Sequence, residues 1–241
     1  MSDSPDTLKH EPQADPKAAL AWAHTARFLT TAARLEHLPA EGPPEIAFVG
    51  RSNAGKSTAI NTLAQQRQLA YASKTPGRTQ HINVFLVGPK EAPDATFSDL
   101  PGYGYAAVER SAKLRWQQVM ADYLASRRAL MGVVMLVDSR HGFTELDRQL
   151  LGFVRPRIAV GEVKLLVLLT KSDKVNRKEA DAALRAAQET LGEIATEYSD
   201  VSVMLFSALK RSGVGDLALT LRSWAANEKG LPASSPDEVG D

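Results

Sequence analysis

The chain has 241 residues, enough for one large α/β domain with tails or for two small domains. It contains no cysteine, which excludes disulfides, thiolate metal sites and cysteine nucleophiles. No apolar run approaches the ~20 residues of a membrane span, and the polar start lacks the apolar centre of a signal peptide. We therefore expect a cytoplasmic protein that does not enter a membrane.

The net charge is +1, but both ends of the chain are acidic and the body is basic. A basic body can bind an RNA-bearing partner or can simply be a solvated surface, and charge alone favours the second interpretation. Residues 1–18 and 228–241 are polar and contain proline, so we expect two disordered tails around one domain at 19–227.

The first part of that domain, residues 19–39, is ambiguous. Its apolar residues recur at helical spacing from Leu20 to Leu29, but Arg27 to Thr31 can equally form an edge strand. Residue periodicity does not choose between a helix and a strand here.

Strands and helices alternate from residue 45 onwards, which favours a mostly parallel sheet with helices on both faces. The predicted strands are 45–49, 82–87, 94–99, 132–138, 163–169 and 202–206, and the predicted helices are 56–66, 108–128, 144–157, 178–196 and 214–227. Pro89 and Pro93 bracket a turn, so the second and third strands should form an antiparallel hairpin.

The first motif that predicts chemistry is Gly-Arg-Ser-Asn-Ala-Gly-Lys-Ser-Thr, at residues 50–58. It lies between an apolar run and a predicted helix, which is the context of a phosphate-binding P-loop. Its N–H groups and the helix N-terminus would face the phosphates. Lys56 can reach the β- and γ-phosphates, and the Ser57 hydroxyl can ligate Mg²⁺.

A second motif, Asp99-Leu100-Pro101-Gly102, ends the third predicted strand. A carboxylate at the carboxyl end of a strand beside a P-loop can hold Mg²⁺, commonly through a water molecule. Gly102 can offer its N–H to the γ-phosphate because it has no side chain. Alone, such a motif is more often a turn.

Two further motifs suit the base of a nucleotide. Thr170-Lys171-Ser172-Asp173 follows an apolar strand, and its carboxylate can accept from N1–H and the N2 amine of guanine, whereas adenine has no donor at N1. Lys171 would lie along the base plane. Phe206-Ser207-Ala208 follows the last strand, and an N–H near Ala208 can bond guanine O6.

The segment from residue 71 to 80 is polar and long enough to fold over a nucleotide. A threonine in it can present its hydroxyl to Mg²⁺ and its N–H to the γ-phosphate. Chemistry alone leaves Thr75 and Thr79 as alternatives.

These motifs in this order resemble the GTPases, and specifically the EngB (YihA/YsxC) family of the Era-like group. The resemblance covers about residues 26–226 and is most distinctive in Asp-Leu-Pro-Gly-Tyr-Gly and Gly-Arg-Thr-Gln. It implies a P-loop GTPase fold of three α/β/α layers, for which we predict a six-stranded, mostly parallel sheet with one antiparallel edge. It also implies Mg²⁺-dependent GTP binding and hydrolysis, association with the large ribosomal subunit precursor and its rRNA, and a link to cell division and septation. We expect a monomer.

The resemblance selects Thr79 as the switch threonine, because the metal-binding threonine of the family falls in its Pro-Gly-x-Thr-Gln element. The predicted metal ligands are then Ser57, Thr79 and Asp99, and the predicted catalytic residues are Lys56, Thr79 and Gly102. The residues predicted to bind nucleotide are Gly50, Arg51, Ser52, Asn53, Ala54, Gly55, Lys56, Ser57, Thr58, Gly77, Arg78, Thr79, Gln80, His81, Asp99, Leu100, Pro101, Gly102, Thr170, Lys171, Ser172, Asp173, Phe206, Ser207 and Ala208.

Two residues bear on hydrolysis. Many GTPases place a glutamine after Asp-x-x-Gly to orient the attacking water, and here the residue is Tyr103, so we expect slow basal turnover. Asn53 matches the P-loop asparagine that helps hold K⁺ in some Era-like relatives. The alternative is a loop asparagine that bonds its own backbone.

Two rival functions remain open at this stage. One is a nucleotide-gated RNA-binding or ribosome-binding module whose hydrolysis is incidental. The other is a P-loop enzyme acting on adenine nucleotides or small phosphate acceptors, which the motif Thr170-Lys171-Ser172-Asp173 opposes. Cations near the switches can pair with RNA phosphates without reading sequence, or they can equally form a solvated face. The candidates are Lys74, Arg78, Arg110, Lys113 and Arg115, followed by Arg127, Arg128, Arg155 and Arg157.

Overall fold

The computed structural model describes residues 15–70, 81–104 and 110–228. In the described part, the strands in chain order are β1 (Arg27–Ala32), β2 (Glu45–Gly50), β3 (Ile82–Val87), β4 (Ala95–Asp99), β5 (Leu130–Asp138), β6 (Lys164–Thr170) and β7 (Val201–Leu205). The helices are α1 (Pro16–Ala23), α2 (Lys56–Leu63), α3 (Arg110–Ser126), α4 (Glu145–Ala159), α5 (Arg177–Gly192) and α6 (Val214–Glu228), with short 3-10 helices at Leu35–His37 and Ser172–Lys174.

All seven strands form one sheet in the order β1-β3-β4-β2-β5-β6-β7. Strand β3 is antiparallel to both of its neighbours, and the other pairings are parallel. The predicted hairpin is therefore confirmed. The sheet has seven strands rather than the predicted six, because β1 adds an edge strand to the hairpin.

Helices cover both faces of the sheet, so the predicted three-layer α/β/α class is confirmed. On one face, α1, α2 and α6 pack on the sheet, and on the other face α3, α4 and α5 do so. Strands β2 and β4 are buried at every position, since each has helices on both sides. This sandwich fixes the carboxyl ends of β2, β4, β5 and β6 at one edge, where the predicted motifs begin.

The ambiguous segment contains a helix and then a strand, so each alternative describes part of it. Helix α1 begins at Pro16, because the Asp15 side chain accepts a hydrogen bond from the backbone N–H of Lys17 at 2.9 Å, and proline at the first helical position has no N–H to satisfy. The tail predicted to be disordered at 1–18 is thus helical in its last three residues. Trp22 then packs edge-on against Phe97 of β4, with ring centroids 5.8 Å apart.

None of the helices in the described ranges is both long and apolar enough to cross a bilayer.

Candidate functional site

The P-loop lies between β2 and α2, and its shape depends on two glycines. A Cβ on Gly50 would lie 2.9 Å from the carbonyl oxygen of Leu136 in β5, so only glycine lets the loop start so close to that strand. Gly55 has a φ of +98°, in the left-handed region that glycine enters at low cost. Because Gly55 is the N-cap of α2 and has no side chain, the first N–H groups of the helix are left to face the loop.

The loop is held by backbone contacts with neighbouring loops. Arg51 forms a parallel bridge with Tyr103, and the Ser52 N–H donates to the Tyr103 carbonyl at 2.8 Å. Asn53 adopts a φ of +66°, which asparagine tolerates better than most residues. This backbone conformation is compatible with both interpretations of Asn53, as a potassium ligand and as a loop asparagine that bonds its own backbone. Thr58 is exposed on α2.

Lys56, Ser57 and Asp99 meet at the start of α2. The Lys56 ammonium donates to Oδ1 of Asp99 at 2.5 Å, and the Ser57 hydroxyl donates to Oδ2 at 3.4 Å. Asp99 has no exposed surface and the Lys56 side chain is 8% exposed, so each charge depends on the other for compensation. The structure thus brings together one cation and two of the predicted metal ligands, from motifs that are about forty residues apart in sequence.

The loop after Asp99 packs directly on the P-loop. Leu100 is buried and its N–H donates to the Phe48 carbonyl of β2 at 3.1 Å, and Pro101 is buried beside it. A Cβ on Gly102 would lie 3.0 Å from the Cα of Ser52, so any other residue would push the two loops apart. Gly102 is itself exposed, and its predicted bond to the γ-phosphate stays a prediction.

Tyr103 occupies the position that holds a glutamine in many GTPases. Its hydroxyl donates to Oδ1 of Asp147 at 2.6 Å, and the other oxygen of Asp147 accepts from the Thr144 N–H and hydroxyl at 2.7 Å, capping α4. Burial and then the Asp147 carboxylate raise the pKa of Tyr103 well above its ordinary value. The phenol therefore stays protonated and fixed to α4.

The loops after β6 and β7 build a polar network on the other side of the P-loop. The Thr170 hydroxyl donates to the Ala54 carbonyl at 2.6 Å, and the Ser172 N–H donates to the Phe206 carbonyl at 3.2 Å. Lys171 has a left-handed backbone, with a φ of +57°. These contacts join the motifs at 170–173 and 206–208 to the P-loop.

Asp173, the predicted base-recognition residue, is oriented by Ser207. The buried Ser207 hydroxyl donates to Oδ1 of Asp173 at 2.5 Å and accepts from the Lys210 N–H at 3.1 Å. The hydrogen bond from Ser207 lowers the pKa of Asp173 below its ordinary value, although partial burial acts in the opposite direction. The carboxylate is therefore ionised and its direction is fixed, as an acceptor for two donors in a row requires. Ala208 lies next to Ser207, half-buried.

Part of the predicted site lies outside the described residues. This applies to Gly77, Arg78, Thr79 and Gln80, and to Thr75, the alternative to Thr79. His81 is described, and it is exposed immediately before β3. The switch threonine therefore stays a prediction.

Sequence reasoning missed Asp138, Ser139 and Asp147. Asp138 and the Lys171 ammonium are 2.9 Å apart, and the Ser139 hydroxyl donates to the Thr170 carbonyl at 2.8 Å. Asp138 ends β5 as Asp99 ends β4, and the carboxyl ends of parallel strands share an edge, so this position was recognisable. For Asp147 the only signal was Thr144 three residues before it, which is a capping pattern.

This fold and this site define a P-loop GTPase. Residues 45–171 match the family model described as 50S ribosome-binding GTPase. The "Probable GTP-binding protein EngB" of Acidovorax ebreus is 60% identical over 206 residues, which cover 86% of this chain and 91% of that protein. Its namesake in Burkholderia multivorans is 48% identical over 217 residues, or 88% of this chain and 97% of that one. The chain belongs to the EngB family of GTP-binding proteins, and it is a GTPase.

Solved structures show the same fold. A crystal structure of a probable GTP-binding protein engB aligns with a TM-score of 0.58 at 20% identity and covers 76% of this chain and 99% of that one. A point variant of Aquifex aeolicus Era, bound to GDP and aluminium fluoride, aligns with a TM-score of 0.60 at 21% identity and covers 81% of this chain and 59% of that one.

Proposed function

We propose that this GTPase is a Mg²⁺-dependent, GTP-loaded switch in assembly of the large ribosomal subunit. The observation that carries the proposal is the arrangement at one sheet edge: Lys56, Ser57 and Asp99 meet at the P-loop, and the motif that contains Asp173 is joined to the P-loop through Thr170. The match to a family model described as 50S ribosome-binding GTPase supports the ribosomal part. The family resemblance extends the proposal to a cytoplasmic monomer that contributes to cell division and septation.

The donor set beside the P-loop fits Mg²⁺. A hydroxyl and a carboxylate are the hard oxygen ligands that this ion prefers, and Mg²⁺ in phosphate sites is usually held by one or two such side chains with the substrate phosphates completing the shell. In the described residues, no cluster of three or more acidic or histidine side chains could hold a metal by itself. Ser57 and Asp99 would hold the ion, with Thr79 as the proposed third ligand, and the bound ion would neutralise phosphate charge.

Hydrolysis of GTP would use this chain's cation and N–H groups to stabilise the developing charge. The Lys56 ammonium would turn from Asp99 to the β- and γ-phosphates, and the Gly102 N–H would bond the γ-phosphate. Because the Tyr103 hydroxyl is committed to Asp147, it does not orient the attacking water. We therefore propose slow basal turnover that a partner or an ion accelerates.

Potassium is the ion that the sequence suggests, through Asn53. If the Asn53 side chain helps to hold K⁺, turnover should be faster in K⁺ than in Na⁺ at equal ionic strength, and Asn53→Ala should remove the difference. Equal rates in the two salts for the unmodified protein would reject the ion and leave the partner as the accelerator.

Candidate RNA contacts are the cations beside the switches. Two of the further arginines already bind other groups of the protein. Arg127 pairs with buried Glu45 at 3.0 Å. Arg157 donates to the carbonyls of Leu124 and Leu130. These two are therefore poor candidates. Arg128 and Arg155 are exposed and remain available.

Sedimentation with large-subunit precursor particles tests the switch. We expect more bound protein with a non-hydrolysable GTP analogue than with GDP, and faster GTP turnover when particles are added. Reversal of Arg110, Lys113 and Arg115 to glutamate should weaken binding at low salt and flatten its salt dependence, with GTP affinity nearly unchanged.

A control variant makes the same charge change elsewhere, at the exposed Lys178, Arg185 and Arg222 of α5 and α6. It should bind particles like the unmodified protein. Equal particle binding with both nucleotides would contradict the switch. An equal loss of particle binding in the two triple variants would show that binding depends on overall charge and not on the position of the three cations.

A further inference from the structure

The Lys171 side chain has two acceptors on two different elements. Its ammonium donates to the Asn53 carbonyl in the P-loop at 2.7 Å and to Oδ2 of Asp138, the last residue of β5, at 2.9 Å. Lysine reaches such a position on four flexible carbons, and an ammonium alone does not define their rotamers. Two acceptors on separate elements define where the side chain lies.

Asp138 is built into the sheet edge rather than exposed on a loop. Its side chain is 13% exposed, whereas Lys171 is 32% exposed, so the carboxylate is the better buried partner. Arg140 binds the same carboxylate from the solvent side, at 2.7 Å from Nη2 to Oδ2. Burial alone would raise the pKa of Asp138, but the hydrogen bonds from Arg140 and Lys171 outweigh it and hold the pKa well below its usual range. The group is therefore an anion at neutral pH.

A fixed Lys171 matters because its backbone and side chain occupy the base end of the site. Its left-handed backbone turns the chain from β6 towards Asp173, and its stem spans from that turn to the P-loop. A cavity of about 210 Å³ lies between the P-loop, the end of β5 and the start of α4, and Asp138, Lys171 and Asn53 all line it. Without an anion at 138, the ammonium would lose its charged acceptor and could turn into this cavity or into solvent.

We infer that Asp138 is a positioning residue for guanine-nucleotide binding: it holds the Lys171 side chain between β5 and the P-loop and does not itself touch the nucleotide. The inference rests on the proposed guanine site at 170–173. It makes two claims that a merely structural role does not make. Loss of the Asp138 charge must weaken nucleotide binding only when Lys171 is present. The loss of affinity must also be the same for every base that lies against Lys171.

The test measures dissociation constants of guanosine, inosine and xanthosine diphosphates by competition with a fluorescent GDP analogue. Asp138→Asn keeps the shape of the side chain and removes its charge, and it should weaken all three by about five- to tenfold, because a partly buried charged hydrogen bond is lost. In a Lys171→Met background, Asp138→Asn should have no further effect. Arg140→Gln, which removes the solvent-side partner of the same carboxylate, should change the three constants less than twofold.

Several outcomes would overturn the inference. These are unchanged affinity in Asp138→Asn, an undiminished loss in the Lys171→Met background, or a loss that depends on the base. The midpoint of thermal unfolding without nucleotide checks folding, and Asp138→Ser serves if the asparagine variant does not fold. Asp173→Asn is measured alongside. If it leaves base preference unchanged, the guanine site itself is wrong; if preference shifts while Asp138→Asn does nothing, only the positioning role fails.

Discussion

The base end and the phosphate end of the site are built differently. At the base end, Asp173 and Lys171 are held by hydrogen bonds to other side chains of the protein, Ser207 and Asp138. At the phosphate end, the two charged groups that would touch the nucleotide and its ion, Lys56 and Asp99, are bound to each other. One end is pre-oriented, and the other must exchange partners when it binds.

This difference gives the two ends of the site different roles in nucleotide recognition. Because the base end is pre-oriented, little conformational entropy is lost when it binds. It can therefore discriminate between bases without responding to the γ-phosphate. A phosphate end that exchanges partners changes its contacts with the number of phosphates, as a switch requires. The four predictions that follow test this division, from the largest expected effect to the smallest.

The first prediction concerns Lys56. Lys56→Met should lower GTP hydrolysis by about 10²–10³-fold, as expected on removal of a group that stabilises transition-state charge. It should also lower the free energy of unfolding without nucleotide by about 3–5 kcal/mol, because Asp99 is left as an unpaired buried anion. Hydrolysis assays and urea unfolding measure the two effects.

The double variant Lys56→Met with Asp99→Asn separates them. It should regain most of the stability and none of the hydrolysis. Lys178→Met, on the exposed face of α5, is the control and should change neither. Full stability in the single Lys56 variant would show that the pair does not hold the phosphate end together.

The second prediction concerns the base end. Asp173→Asn should weaken GTP binding by about a hundredfold, because a charge-assisted pair to the base is lost. It should strengthen xanthosine triphosphate binding, since xanthine has a carbonyl in place of the guanine amine. Competition binding with both nucleotides measures this, with exposed Asp181→Asn as the control. If GTP affinity does not change, Asp173 is not the base-recognition residue.

The third prediction concerns the residue behind Asp173. Ser207→Ala should weaken GDP binding by about fivefold through loss of one hydrogen bond. The same loss should raise the pKa of Asp173 towards its ordinary value. Since binding needs the carboxylate, affinity should then decline at a higher pH on acidification than in the unmodified protein. Coincident pH profiles would show that Ser207 does not tune Asp173; Ser223→Ala on α6 is the control.

The fourth and smallest effect is expected at Tyr103. Tyr103→Phe should lower the free energy of unfolding by about 1 kcal/mol, through loss of the hydrogen bond to Asp147. Basal hydrolysis should change less than twofold, because the hydroxyl is directed away from the phosphate end. A large loss of turnover, absent in exposed Tyr198→Phe, would place the hydroxyl in the reaction instead.

The sequence predicted the sheet edge at which the motifs lie better than it predicted how their side chains pair. The P-loop, Asp99 and the motif at 170–173 were recognisable, because each follows an apolar strand and parallel strands present their carboxyl ends at one edge. The seventh strand was left open, because apolar residues recur at helical spacing from α1 into β1, and β1 is half-exposed. The pairing of Lys56 with Asp99 was not predicted, since local sequence gives no sign of which groups from distant segments neutralise each other.

Asp147 has a consequence for genetics. One of its carboxylate oxygens accepts the hydrogen bond from the Tyr103 hydroxyl, and the other accepts from Thr144 and so caps α4. A single carboxylate therefore joins two segments that are 44 positions apart in the chain. A substitution of Asp147 would release the Tyr103 hydroxyl and fray the start of α4 at the same time. Tyr103→Phe and Thr144→Ala each remove one of these contacts. The phenotype of an Asp147 allele can therefore be assigned to the loop or to the helix by asking which of the two it resembles.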